Sequence, residues 1–408
     1  MAIDKLSANA FATGAIANSL GYTPANKAGD TFTGNVVFSA NATITGAATF
    51  SNTVAIGSDY LTPYTGFKNR IINGDMRIAQ RGTAPTMTGG GDYSLDRFGH
   101  YYSSGAVTTA QSSVAPAGFA KSLLITVSSA AASPTYNFFY QKIEGLNCTD
   151  LGFGLSTASP VTLSFWVRSS VTGIYSVSIT NYDGDRAYAV QYTINAANTW
   201  EQKTITIPGD TTGTWYTTNT VGLYVRWNMG SASGSRLISA GSWQAANADG
   251  ATGSTGANAW VNTSGATFYL TGVQLEKGST ATAFDWRPYG TELQLCQRYY
   301  AKLGANAGGS SSYQAYGAGG NQSTNTSQNF ALVFPQYMRV APTIAYSGNM
   351  GVTVNGSYVN ITGIGGAYTG YGSTLLQTSS NAVGSAGQGA VLLSNADANA
   401  YISLTAEL

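Results

Sequence analysis

The chain has 408 residues, of which only 9% are charged, and its formal net charge is +1. An ordinary soluble domain carries roughly a quarter charged residues, and so even a balance excludes the broad basic footprint with which nucleic-acid binders neutralise phosphates. With 43% hydrophobic residues there is enough apolar surface to bury a core, so the chain folds, and neutral Ser, Thr, Asn and Gly must cover its outside.

No run approaches the ~18 consecutive apolar residues of a membrane span. Residues 1–20 lack a basic region followed by a long apolar run, so the expectation is a protein made in a cytoplasm, without a secretory leader or membrane insertion. Cys148 and Cys296 lie far apart, which excludes a disulfide framework, and both read as buried small hydrophobes.

In chain order, a short Ala-rich start gives way to small-residue strands punctuated by Gly. Phe32, Val36, Phe38, Ile44, Phe50, Val54 and Ile56 are apolar positions too sparse to close a core alone, and they fit copies intertwined along a shared axis. A flexible linker is the alternative. From Lys68 to about Arg287 a period of two recurs. Val161, Leu163, Phe165 and Val167 share one strand face, and Val221, Leu223, Val225, Trp227 and Met229 another, with Tyr224 and Arg226 opposite. Further strands are expected at Tyr175–Ile179, Tyr188–Ile194, Ile205–Ile207 and along Tyr269, Thr271, Val273 and Leu275. Short strands between Gly, Asn and Pro, with almost no helical period, predict a central antiparallel jelly-roll β-sandwich over residues 67–290. The long Gly230 to Gly265 stretch reads as a functional or mobile loop. Leu293, Cys296 and Tyr300 fit one short helical face. Residues 291–408 read as a separate small C-terminal β-sandwich tip, with Gly-, Ser- and Tyr-rich loops at Gly308 to Asn329 and Gly363 to Gly389. The fold class expected is therefore all-β: intertwined β stalk, central jelly roll, β tip.

Two segments go beyond composition. Phe67 to Gly82 (FKNRIINGDMRIAQRG), with Ser94 to Phe98 (SLDRF), resembles the opening of a module of bacteriophage tail fibres. Phe268 to Gly278 (FYLTGVQLEKG), running on through Phe284 to Pro288 and Leu295 to Tyr300, resembles its close, and Leu20 to Gly34 is similar to a segment common near tail-fibre N-termini. The resemblance implies a virion protein of the phage tail, a homotrimer anchored to a tail or baseplate protein through residues 1–66, with a carbohydrate-binding-like central module and a distal receptor-binding tip at residues 291–408. Its implied function is host adhesion through a surface glycan, the alternatives being a structural connector or a tailspike-like glycan depolymerase.

Hydrolysis of a polysaccharide needs a carboxylate pair about 5–10 Å apart. The candidates are Asp92 with Asp96, Asp183 with Asp185, and Glu276 with Asp285, all of which read more simply as turns, ion pairs or strand ends. Asp183 and Asp185 also make a minimal Ca²⁺ candidate, although hard cations want more oxygens. His100, the only histidine, reads as a strand residue near the sandwich rim. No serine sits in a nucleophile elbow, and Gly89-Gly90-Gly91 lacks the context of a phosphate loop. The chain is expected to be neither an enzyme nor a cofactor protein. For glycan contact the sequence nominates Trp215, Trp243 and Trp260 in loops of the central domain, and Tyr313, Tyr316, Tyr368 and Tyr371 in the tip, because Tyr on adaptable loops supplies rigid contact area. The pairs Trp166 with Arg168 and Tyr224 with Arg226 share polar strand faces and read first as packing or interface residues.

Overall fold

A computed structural model describes residues 54–56, 59–61, 67–231, 234–304, 315–316, 319–394, 396–397 and 399–408. The expected intertwined stalk lies outside them except for Val54 and Ile56, which fall in the first of two short paired strands, β1 (Val54–Ile56) and β2 (Asp59–Leu61).

Strands then follow in chain order as β3 (Gly90–Tyr93), β4 (Gly99–Tyr102), β5 (Ala106–Ser112), β6 (Ser122–Ser129), β7 (Asn137–Glu144), β8 (Val161–Ser169), β9 (Gly173–Thr180) and β10 (Ala187–Ile194). After them come β11 (Glu201–Ile207), β12 (Val221–Asn228), β13 (Leu237–Ile238), β14 (Trp243–Gln244), β15 (Gly250–Ala251) and β16 (Thr267–Lys277). They build the expected antiparallel jelly-roll sandwich, one sheet ordered β14-β10-β9-β12-β7-β4-β3 and the other β11-β8-β16-β6-β5. Leu163, Phe165 and Val167 from one sheet meet Val177, Val225 and Trp227 from the other, all fully buried, with Phe165 edge-on to Trp227 at 6.0 Å. Alternation of apolar and polar residues, which makes each strand legible, is what lets two sheets share one core.

Strand β16 departs from simple alternation. Its pairing with β8 shifts between Thr271 and Gln274, and Gly272 there has φ +60°, with Phe119 and Trp166 so close that a Cβ would meet their rings. The extra residue switches faces. Core contacts therefore come from Phe268, Leu270, Val273 and Leu275, while Tyr269 turns outward against Trp200 and Arg168. The expectation that Tyr269, Thr271, Val273 and Leu275 share one face fails because a bulge breaks the period of two.

The two bracketing motifs meet in one buried polar clamp. Asn69 Oδ1 accepts the amides of Ile71 (2.9 Å) and Leu275 (3.0 Å), and its Nδ2 donates to the Val273 carbonyl at 3.0 Å. Arg287 donates to the carbonyls of Asn69 and Ile71 and pairs with Glu292. Glu292 in turn accepts the Asn73 amide, and Gln141 closes both polar groups of Ile72 (2.8 and 2.9 Å). Gly74 lies against the Val273 carbonyl with no room for a Cβ. The Arg287 side chain is 3% exposed and that of Glu292 6%, and the hydrogen bonds to the Asn69 and Ile71 carbonyls and from the Asn73 amide offset the cost of burying the pair. The two motifs thus staple the first segment of the sandwich to its last strand.

Beyond the helix Tyr289–Gln297 come β17 (Tyr300–Gly304), β18 (Gly320–Thr324), β19 (Ser327–Val333), β20 (Thr343–Ser347), β21 (Met350–Val354), β22 (Ser357–Ala367), β23 (Ser373–Ser380), β24 (Gly389–Ser394) and β25 (Tyr401–Thr405). Cys296 is buried on that helix as expected, whereas Tyr300 already begins β17. The tip is all-β, but it is not a small sandwich. Six of its strands close into a barrel, β18-β19-β23-β22-β21-β24, sealed where Gly320 and Asn321 pair with Ala390 and Gly389. Closure removes both open edges. Phe330, Leu332, Val352, Leu376 and Leu392 fill the interior, with Gln328 bonded to Thr378 (2.7 Å) and Ser380 (3.0 Å) as a polar layer. Strand β23 and part of β22 run through the tract read as a loop, because their inward positions include Thr374, Thr378 and Ser380, which hide the apolar period.

A separate three-stranded sheet, β17-β25-β20, links barrel and sandwich. After β25 the chain returns to the sandwich, where Glu407 pairs with Arg81 (2.9 Å) and with Arg97. Burial pulls the Arg97 pKa down, but Glu407 together with Tyr299, Tyr93 and Cys296 outweighs it and holds the group above its ordinary value. The Tyr299 ring lies 3.6 Å below the same guanidinium. Arg298 and Tyr299 bind Glu144 of β7 (2.6 Å each), and Arg339 donates to the carbonyls of Asn219, Ala406 and Glu407.

Glu407→Gln leaves Arg97 buried without its counter-charge and is expected to cost about 3–5 kcal/mol. Urea titration measures it, and a loss below about 1 kcal/mol would contradict the account. A second expectation concerns His100. It is fully buried, stacked on Phe139 at 4.0 Å, its Nε2 2.7 Å from Asn137 Oδ1, so it faces the core rather than the rim. Burial lowers its pKa from 6.5 to about 4. Between those values the unfolded chain takes up a proton that the folded one refuses, so acidification removes up to about 3 kcal/mol from this group. Stability measured from pH 7 to pH 4 should fall more steeply in the wild type than in His100→Gln, and parallel curves would count against it.

Candidate functional site

The outer face of the seven-stranded sheet is divided in two. Where the 237–252 segment lies across β9 and β10, this face carries small residues, Ser176, Ser178, Thr180, Ala187 and Ala189, all fully buried. Ser178 donates to the Ala248 carbonyl at 2.9 Å, and Ser176 accepts the Ala251 amide at 2.9 Å. Much of the stretch expected to be a functional or mobile loop is thus packed down, and it ends in a helix, Thr255–Val261.

On β4, β7 and β12 the same face carries large rings and cations. Cross-strand register sets Tyr101 opposite Phe138, Arg226 opposite Tyr140 and Tyr224 opposite Lys142. Tyr101, Phe138, Lys142, Tyr224 and Arg226, with the loop residues Tyr136 and Arg236, line a cleft of about 250 Å³. Tyr101 stacks on Tyr140 with centroids 5.5 Å apart. Arg226 lies 4.7 Å from the Tyr224 centroid and 5.1 Å from that of Phe138, and Lys142 lies 5.4 Å from Tyr140. The packed loop supplies one wall through Asp249, which takes two bonds from Arg236 (3.0 and 2.5 Å) and a longer contact from Arg226 at 3.5 Å.

Burial lowers the Arg226 pKa to about 10, with Asp249 pulling the other way. Lys142 is held at about 8, chiefly by burial and then by the charge of Arg97, so it remains protonated at pH 7. Asp249 is raised by burial against its two arginines. Arg226 Nε is buried with no hydrogen-bond partner. Chemically, the rings offer flat apolar platforms, and the guanidinium and ammonium groups offer donors at their edges, an arrangement suited to a ligand with both a C–H face and polar substituents.

The sequence pointed at Tyr224 and Arg226 as sharing a face but not at Phe138, Tyr101, Lys142 or Arg236. Only pairing across strands brings these together, and no local signal marks it. The nominated tryptophans fare differently. Trp260 is fully buried in its helix against Phe268, which corrects its assignment to a ligand-facing loop: an amphipathic turn places its ring in the core. Trp215 and Trp243 are half-buried and pack edge-on at 5.5 Å, joined by Phe153 and Tyr188. Their indole N–H groups donate to the carbonyls of Thr212 (3.2 Å) and Pro208 (2.8 Å), so they fasten loops at one end of the sandwich. Trp215 also borders a second, smaller hollow of about 230 Å³ with Phe153 and Leu223.

In the tip, Tyr313 lies outside the described residues. Tyr316 is 6% exposed with its hydroxyl donating to the Ala400 carbonyl at 2.6 Å, so it is a barrel anchor and not a surface contact. Tyr368 is 91% exposed and Tyr371 48%, the latter beside Tyr337 at 6.2 Å. Asp185 bonds Asn181 at 2.6 Å while Asp183 accepts the Tyr216 hydroxyl at 3.3 Å. No third metal-ligating side chain joins this pair among the described residues. Asp92 accepts Thr88, Asp96 accepts Gln80 (2.7 Å), Glu276 accepts Thr282 (2.9 Å), and Asp285 accepts the amides of Lys68 and Asn69 (3.1 and 3.2 Å). These carboxylates are all engaged within the chain. Trp166 lies half-buried beside Gly272, and Arg168 covers Tyr269.

No protein-family model matches the chain, and no curated protein matches it. Among solved structures, it is similar to a tailspike protein 4 enzymatically active domain of bacteriophage CBA120, at 12% identity and a TM-score of 0.28, covering 51% of this chain and 21% of that one. It is also similar to TmCBM61 in complex with β-1,4-galactotriose (11% identity, TM-score 0.26, 52% of this chain and 99% of that one). A family 11 carbohydrate-binding module from Clostridium thermocellum, bound to a mixed-linked tetrasaccharide, gives 12% identity and a TM-score of 0.26 over 49% and 96%. The chain is an all-β protein with a jelly-roll sandwich at its centre. No helix among the described residues is long and apolar enough to cross a membrane.

Burial and exposure give opposite expectations for two of the nominated rings. Trp260→Ala should cost about 3–5 kcal/mol, whereas Tyr368→Ala should stay within about 0.5 kcal/mol of wild type. Denaturant midpoints of the two variants check the contrast.

Proposed function

We propose that this chain is a glycan-binding adhesin of the phage tail-fibre type, and that the aromatic and cationic cleft on β4, β7 and β12 is its sugar site. The observation that carries the reading is the cleft itself: rings and buried donors converge there on about 250 Å³ of open space. A sugar ring stacks its C–H face on Tyr224 or Phe138 and sets its hydroxyls against Arg226, Lys142 and Arg236. The tail-fibre assignment rests on the motifs at Phe67–Gly82, Phe268–Gly278 and Leu20–Gly34, and with it go a virion location, a homotrimer and attachment through residues 1–66. Binding in this reading is non-catalytic. Weak single sites gain strength by avidity when copies are linked.

The test is a glycan array and a cell-adsorption assay with the full chain. Tyr224→Ala should reduce glycan binding at least tenfold without lowering the unfolding midpoint, and Tyr368→Ala with Tyr371→Ala should leave it unchanged. Loss confined to the tip variants would move the site to the barrel. Absence of any glycan or cell binding would leave a structural connector as the function, and new reducing ends from a bound polysaccharide would make it an enzyme.

A further inference from the structure

We propose that the cleft selects glycans bearing an acidic substituent, a carboxylate or phosphate, over their neutral counterparts. The inference rests on the reading of the cleft as a sugar site and names the class of sugar it takes. In a chain with only 19 lysines and arginines, three of them, Lys142, Arg226 and Arg236, converge on one cleft. The single carboxylate among them, Asp249, has both oxygens occupied by Arg236. Glu407, the next acidic neighbour of Lys142, is taken up by Arg81 and Arg97, and among the described residues Lys142 Nζ itself donates to the Leu408 carbonyl alone.

Arg226 is the decisive group. It is only 6% exposed, and its engaged nitrogen is Nη1, which donates to Asn247 Oδ1 at 2.6 Å and stands 3.5 Å from Asp249. Nε, on the other edge of the planar fork, is buried and unpartnered. A buried guanidinium without full compensation is costly, and an oxyanion is the acceptor that fits such a fork. A neutral sugar asks for none of this. Amides and hydroxyls, which this chain has in plenty, would bind it without the desolvation of three cations. The flat rings of Tyr224 and Phe138 beside the fork orient the sugar so that its acidic group meets Arg226 and Lys142.

The experiment titrates the full-length protein by calorimetry with oligogalacturonides and their carboxyl-reduced forms, and with phosphorylated mannan and its dephosphorylated form. The expected result is at least tenfold tighter binding of the acidic member of one pair, which identifies carboxylate or phosphate as the group read. That gap should narrow between 20 and 200 mM salt, and it should shrink in Lys142→Gln and in Arg236→Gln, which are less buried than Arg226. Equal binding of acidic and neutral members, both lost in Tyr224→Ala, would overturn the acid preference and leave the sugar site standing. Failure of every member to bind would overturn both. Binding of acids that Tyr224→Ala, Lys142→Gln and Arg236→Gln leave untouched would place the acidic site elsewhere and also overturn the inference.

Discussion

The structure depends on Asn69. One primary amide, 6% exposed, bonds the backbone at Ile71, Val273 and Leu275, and so joins the first segment of the central domain to its last strand. A sandwich whose terminal strands were not tied would present open backbone at its end, and every unpaired buried amide there costs about 1–3 kcal/mol. Around that amide gather Arg287, Glu292, Gln141 and Asn73. In a chain so poor in charge, the few ionic groups are spent on closing the fold rather than on dressing its surface. The same economy explains why Arg97 and Glu407 are buried, and why three cations gathered at one cleft around a single carboxylate stand out.

Much of the central fold was legible because its strands obey the period of two: Leu163, Phe165 and Val167 face the core as read, as do Val221, Leu223, Val225 and Trp227. Legibility failed where a local rule was broken. The bulge at Gly272 inverts the second half of β16, and no letter but a glycine announces it. In the tip, polar inward residues such as Gln328 and Thr378 disguised strands as loops, and barrel closure rests on pairing between residues some seventy positions apart. The buried state of His100, Trp260 and Tyr316 was equally hidden, because a ring or imidazole between small residues reads alike whether it points in or out.

The cleft was the least legible part. Its residues come from β4, β7, β12 and two loops, and their proximity is a property of sheet order β9-β12-β7-β4, not of any segment. Yet the division of that sheet face has a sequence cause. Ser and Ala on β9 and β10 let a loop settle directly on the sheet, whereas Phe, Tyr, Lys and Arg on β4, β7 and β12 hold the neighbouring surface open. Side-chain size thus separates the covered half of the face from the open one.

The return of the chain after β25 has a mechanical consequence. The barrel region is joined to the sandwich covalently through the helix Tyr289–Gln297, and residues 406–408 add a second, non-covalent anchor, with Glu407 locked between Arg81 and Arg97. A lobe hung from a single tether swivels, whereas one held at two anchor points resists torsion. A pull or twist on the barrel is therefore shared between the covalent connection and the Glu407 pairs with Arg81 and Arg97.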